Sequence, residues 1–136
     1  MEIKYSDKIP HINSFFTLYE STGWNEDAEK TKEDLYEAIK NSWYIVSVFS
    51  DEILIGFGRV ISDGKLHAFI VDLIISPEYK LKGIGTEILN RLVDYTQKAG
   101  ISDIQLFCAN DKKEFYLKNN FIERPLNAPG MQYQIY

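Results

Sequence analysis

The sequence predicts an α/β fold of the α+β kind, with a central mixed sheet of about six to seven strands flanked by about four helices. Three observations predict it. Residues 12–19 and 31–40 carry apolar side chains at helical spacing, giving an N-terminal helix pair. Residues 43–75 then change to runs rich in β-branched and aromatic residues, broken by short polar turns, as in an antiparallel meander. Last, a nearly continuous apolar run, 69–75, leads through Gly83-Ile84-Gly85 into a long helical pattern and another strand. Strand, helix and strand in such close succession imply a parallel pair joined by a crossover.

The elements justify this in order. Residues 2–5 predict a short first strand. Ile12, Phe15, Phe16 and Tyr19 share one helical face, which Gly23 closes. Residues 24–27 read as a loop carrying Trp24, whose place between two helices also suits a substrate pocket. In the second helix, Leu35, Ala38 and Ile39 are predicted to point inward. Between Glu20 and Glu37 acids outnumber the two lysines. That pattern fits a solvated acidic surface or a rim that attracts a cation. Strands are predicted at 43–49, 53–61 and 66–75, a helix from Gly83 to a closing Gly100, and a strand at 104–108. A short helix at 111–118 and two final strands, 121–123 and 131–135, complete the chain.

Composition bounds the function. The 136 residues suit a single domain spanning 1–136, with 45% hydrophobic and 26% charged residues typical of a globular protein. A net charge of −5 argues against nucleic acid as the main partner. The single cysteine, Cys108, allows no internal disulfide and is expected in the core. With no signal-peptide pattern and no apolar run long enough to span a bilayer, a cytoplasmic location without membrane contact is expected. No group of potential ligands has metal-site spacing, so no metal is expected.

The chemistry centres on residues 76–89. The first amides of a helix lack intrahelical partners and lie at the positive end of its dipole, so they suit an anion. Glycine there lets the anion approach the backbone, and Lys80 and Lys82 add charge at the same point. The pattern lacks the third glycine of the dinucleotide fingerprint and the Gly-Lys-Ser/Thr of a P-loop. It is a candidate phosphate or pyrophosphate cradle. Asp72 is the other notable residue, because a carboxylate inside an apolar strand is costly unless it is paired or used.

Two blocks carry a family resemblance. Lys80-Leu81-Lys82-Gly83-Ile84-Gly85 stands where the GNAT N-acetyltransferases carry Gln/Arg-x-x-Gly-x-Gly/Ala, after a similar strand end and Pro-Glu-Tyr turn. Asn110, followed by residues 114–121, resembles the family's Asn…Phe-Tyr-x-Lys-x-Gly-Phe segment. The chain departs in three ways. Lys80 replaces Gln/Arg and loses the guanidinium fork. Asn120 replaces a glycine, a change eased because asparagine enters the left-handed region more readily than most residues. The 110–116 segment is one residue shorter.

The resemblance implies acetyl-CoA as cosubstrate, lying between the strand ending at Ile75 and the strand ending at Cys108. Backbone groups of Leu73, Ile74 and Ile75 would bond the pantetheine arm and polarise the thioester carbonyl. Amides of Leu81, Lys82, Gly83, Ile84, Gly85 and Thr86, with Lys80 beside them, would hold the pyrophosphate, and Asn110 would add a cofactor contact. Tyr116 would contact the cofactor and give a proton to the departing thiolate, from a phenol of ordinary pKa near 10 to a thiol near 8.5. Asp72, with Trp24, would meet the amine, either anchoring its charge or taking its proton; His67 in the same strand is the alternative base. The implied activity is direct acetyl transfer to a primary amine, a small cationic one by the acidic residues, with a homodimer through the final strands by family analogy. The alternative is a non-catalytic acyl-CoA-binding or protein-interaction module on the same fold.

Overall fold

Strand alternation and two faces of apolar side chains generate the architecture. The computed structural model describes residues 2–134. They fall into two compact units that divide between Gln105 and Leu106. One five-stranded sheet runs β1 (Ile3–Ser6), β2 (Tyr44–Ser50), β3 (Ile53–Ser62), β4 (His67–Ile75), β5 (Asp103–Leu106), in that spatial order. Neighbours from β1 to β4 are antiparallel. β4 and β5, linked through helix α3 (Ile84–Lys98), form the parallel pair the sequence predicts. At the β2–β3 turn Asp51 and Glu52 have φ of 47° and 73°, as a type I′ hairpin requires.

Helices α1 (Ile12–Glu20) and α2 (Lys32–Lys40) cover one face of the sheet. Phe15, Leu18, Leu35 and Ile39 pack there against Ile45, Leu54, Phe57 and Ile74. Thr31 and Asp34 form a reciprocal capping box at the start of α2, satisfying two of its orphan amides. Ala38 is exposed rather than inward. The buried Leu35 and Ile39 lie four apart, and Ala38 lies to one side of that stripe.

Helix α3 covers the other face through Ile84, Ile88, Leu89 and Leu92. It lies close because β3 offers no side chain at two alternating positions. A Cβ on Gly58 would stand 2.7 Å from Ile88 Cγ2 and 3.0 Å from Leu92 Cδ1, and one on Gly56 would stand 3.2 Å from Ile88 Cδ1. The helix ends in a Schellman motif. Gly100 adopts φ 89°, the Gly100 N–H donates to Gln97 O, and the Ile101 N–H donates to Thr96 O.

In the second unit, helix α4 (Lys113–Lys118) ends the same way, with Asn120 at φ 71° and the Phe121 N–H donating to Tyr116 O. The tolerance expected of asparagine is therefore used. The two final strands are not formed by the described residues 121–134, and Ile135 lies outside them, so the sheet has five described strands rather than six or seven. The segment closes on itself instead. Ala128 N–H donates to Pro125 O, and Arg124 Nε donates to Ala128 O at 2.7 Å. Pro125 and Pro129 have no amide to give a ladder. Cys108 is exposed and lies beyond the end of β5, not in the core as predicted. Among the described residues no helix is long and apolar enough to cross a membrane.

Gly58→Ala should lower stability by about 1–3 kcal/mol, because Ile88 and Leu92 must move to admit the methyl group. Urea unfolding checks this: the midpoint should fall at unchanged slope.

Candidate active site

One extra residue in β4 shapes the site. Phe57 pairs with Ile74 and Arg59 with Val71, so Gly58 alone faces both Asp72 and Leu73. This is a β-bulge, and Asp72 holds it with φ 55°. The bulge reverses the strand's alternation: Ile70 pairs with Val60 on the α3 side, whereas Ile74 pairs with Phe57 on the α1–α2 side. It also withdraws backbone groups from the β3 ladder just before Leu73, Ile74 and Ile75. A left-handed conformation costs a non-glycine residue about 1–2 kcal/mol, and least for Asn or Asp.

Arg59 of β3 supplies the compensation. Its Nε donates to Asp72 Oδ2 at 2.7 Å, with the two side chains only 12% and 19% exposed. Its Nη1 donates to Ala38 O and to Ser42 Oγ, both at 3.3 Å, at the C-terminal end of α2. Hydrogen bonds to charged groups contribute about 1.5–3 kcal/mol each, enough to offset the strained residue. Asp72 is therefore ion-paired in this structure, one of the two states the sequence allowed for it.

Tyr19 stands beside this pair. Burial first, then the Asp72 charge, pushes its phenol above the ordinary range, with Arg59 acting in the opposite sense and Glu20 again raising it. The Tyr19 ring meets Trp24 edge-on at 5.8 Å and Phe15 at 5.7 Å. Trp24, partly exposed in the turn after α1, is thus tied to the helix that packs over β4. Sequence reading placed Tyr19 on the core face of α1 and did not single out Arg59. The signal for Arg59 was present, as the one charged residue between Ile53 and Ile61.

The loop after β4 prepares the start of α3. Ser76 N–H donates to Ile55 O at 2.7 Å, and a 3₁₀ turn follows at Pro77–Tyr79. Leu81 has φ 64° and is fully exposed; Gly83 has φ 81° at the N-cap. The first helical bond runs from Glu87 N–H to Gly83 O at 3.1 Å, and no side chain caps the helix. The amides of Ile84, Gly85 and Thr86 thus lack intrahelical partners. A Cβ on Gly83 would meet no atom within 4 Å, so the space beside these amides is open. Lys80 and Lys82 flank it, exposed.

His67 opens β4 five residues before Asp72, about 16 Å along the strand, and its Nδ1 lies 2.6 Å from Asp103 Oδ2. In the second unit, Tyr116 lies on α4 with its ring edge-on to Phe115 at 5.1 Å and to Phe121 at 5.8 Å. Burial pushes its phenol up to about 12, with the Cys108 sulfur adding to the shift. That differs from the ordinary value expected above and makes proton donation steeper. Asn110, exposed, precedes Asp111 at φ 63°.

Comparison with known proteins gives a consistent result. Residues 10–121 match the model of the acetyltransferase (GNAT) family. An uncharacterized N-acetyltransferase of Pyropia yezoensis is 31% identical over 140 residues, covering 96% of this chain and 79% of its own. A probable acetyltransferase of Staphylococcus aureus superposes with TM-score 0.85 at 23% identity, over 98% of this chain and 100% of the other. The PaiA N-acetyltransferase of Thermoplasma acidophilum, solved in complex with coenzyme A, superposes with TM-score 0.73 at 24% identity, over 91% and 92%. The two structural likenesses concern the fold, and the family match runs through the bulged strand, the open helix start and Tyr116. The chain belongs to the GNAT acetyltransferase family and is an N-acetyltransferase.

Proposed function

We propose that the chain, working as one domain, transfers an acetyl group directly from acetyl-CoA to a primary amine, a small cationic one. The observation that carries the cofactor half is the uncapped start of α3: open amides at Ile84, Gly85 and Thr86, positive φ at Leu81 and Gly83, and Lys80 and Lys82 alongside. Such a concave, positive turn fits a pyrophosphate. The amides of Leu81 and Lys82 belong to the same cradle, and Asn110 is assigned a further cofactor contact by family resemblance.

Acetyl-CoA supplies the activated acyl group as a thioester. Leu73, Ile74 and Ile75 offer backbone groups beyond the bulge to the pantetheine arm and the thioester carbonyl. Asp72 and Trp24 mark the acceptor side, with Tyr19 between them in packing. The acids of residues 20–37 raise the local concentration of a cation. Burial pushes the Tyr116 phenol up to about 12, so it keeps its proton at neutral pH. It is then in the donor form, although it gives the proton uphill to a thiolate. Cytoplasm, with acetyl-CoA at hand, is the proposed site of action. The exposed Ile122, Leu126, Met131 and Tyr133 suit self-association as a homodimer. The alternative, an acyl-CoA-binding module without turnover, predicts cofactor binding but no thiol release with any amine.

Acetyl-CoA at a hundred times its Kd should stabilise the native state by about 2.7 kcal/mol, a rise of several degrees in Tm. No rise at millimolar acetyl-CoA would remove the cofactor assignment. Tyr116→Phe should lower kcat by about a hundredfold or more with acetyl-CoA binding retained, measured by thiol release across an amine panel. Because its pKa is raised, Tyr116 loses its proton only as pH rises towards about 12. The pH profile of kcat should therefore show no alkaline decline from Tyr116 up to pH 10; a Tyr116-dependent decline near neutrality would contradict the assignment.

A further inference from the structure

The Arg59–Asp72 ion pair has a geometric role that neither partner has alone. Asp72 is strained at φ 55° and carries a mostly buried charge at the bulge. Arg59 grips that carboxylate at 2.7 Å with one nitrogen and the end of α2 with another, through Ala38 O and Ser42 Oγ. Arg59 pairs across the ladder with Val71, the last regular residue before the bulge. Arg59 thus ties three things together: through its backbone the regular part of β4, and through its side chain the irregular residue after it and the end of α2. A guanidinium is suited to this because its planar fork serves two directions at once, which an ammonium does not do rigidly.

We propose that Arg59 is a positioning residue for acetyl transfer: its pairing with Asp72 locks the β4 bulge, and the locked bulge aims the backbone of Leu73 to Ile75 at the thioester carbonyl. The inference rests on the cofactor placement proposed above. Arg59 touches neither the cofactor nor the amine in this scheme. It acts through Asp72, and its need arises from Asp72 being both charged and left-handed. Glycine at position 72 adopts the same φ freely and carries no charge. Replacing Asp72 by glycine should therefore abolish the requirement for Arg59 in positioning the carbonyl.

The test uses acetyl-CoA labelled with carbon-13 at the carbonyl, without any acceptor. Infrared difference spectra give the stretch of the bound thioester carbonyl, which falls when donors polarise it, and calorimetry gives the Kd. With the wild-type chain the stretch should fall on binding. Arg59→Met should return it towards the free value and weaken binding by about tenfold, the order expected for one lost hydrogen bond. Asp72→Gly added to Arg59→Met should restore the lowered stretch. Thr31→Ala, which removes the cap at the other end of α2, should lower stability and leave the stretch unchanged. If Arg59→Met does not fold, Arg59→Lys takes its place; it keeps the charge facing Asp72 and loses the ties to Ala38 and Ser42, so the stretch should rise part of the way.

A lowered stretch that persists in the arginine variant overturns the inference while leaving the cofactor placement standing. Loss without recovery in the double variant also overturns it, since Arg59 would then act other than through Asp72. Failure of the wild-type chain to bind acetyl-CoA overturns the cofactor placement itself, and this inference with it.

Discussion

The contact between Arg59 and Asp72 sets the geometry on which the candidate site depends. A regular β4 would place positions 70 and 74 on the same face of the sheet. The bulge puts them on opposite faces, so one strand contributes Ile70 to the α3 side and Ile74 to the α1–α2 side. It also frees backbone groups beside Leu73 in the middle of a sheet, where unpaired amides and carbonyls are otherwise rare. Such an arrangement needs something to hold it, because a residue at φ 55° inside a strand relaxes to regular pairing unless its surroundings prevent this. A largely buried guanidinium at 2.7 Å provides the restraint.

Much of the fold was legible in the sequence because its signals are local. The helix pair, the three-strand meander, the crossover helix with its closing Gly100, and the open Gly83–Gly85 turn each follow from spacing and turn chemistry within a short window. The bulge was not legible as a bulge. Residues 69–75 read as a smooth apolar run, and the extra residue shows only in the register against β3, a long-range property. Asp72 was the visible symptom. A charge in such a run needs a partner, but nothing local says that the partner is Arg59, thirteen residues earlier. The missing final strands have a different cause. Residues 121–123 and 131–134 have strand-like composition, yet a strand exists only with a partner, and this segment instead satisfies itself through the Arg124–Ala128 loop.

The two units differ in what each offers. The first has features built from backbone: open amides at α3 and a bulge in β4. These depend on conformation more than on side-chain identity: what marks the loop is positive φ at Leu81 and Gly83 and a helix start without a side-chain cap. The second carries Tyr116, the donor proposed above, whose phenol is pushed up to about 12 chiefly by burial, with Phe115 and Phe121 against its ring. Hydrophobic packing and acid strength are there the same variable, since a better-buried ring is a more reluctant donor.

The bare face of β3 at Gly56 and Gly58 has a consequence for how variation in this protein reads. These glycines touch Ile88 and Leu92 at the middle of α3 and contact no ligand in the scheme above. Yet the height of α3 over the sheet sets where its open amides stand relative to the end of β4. A screen for lost activity would therefore flag the two glycines alongside the Gly83–Gly85 turn. What such a screen registers at positions 56 and 58 is a spacer setting, and relief at Ile88 or Leu92 would reset it without any change to the reacting groups.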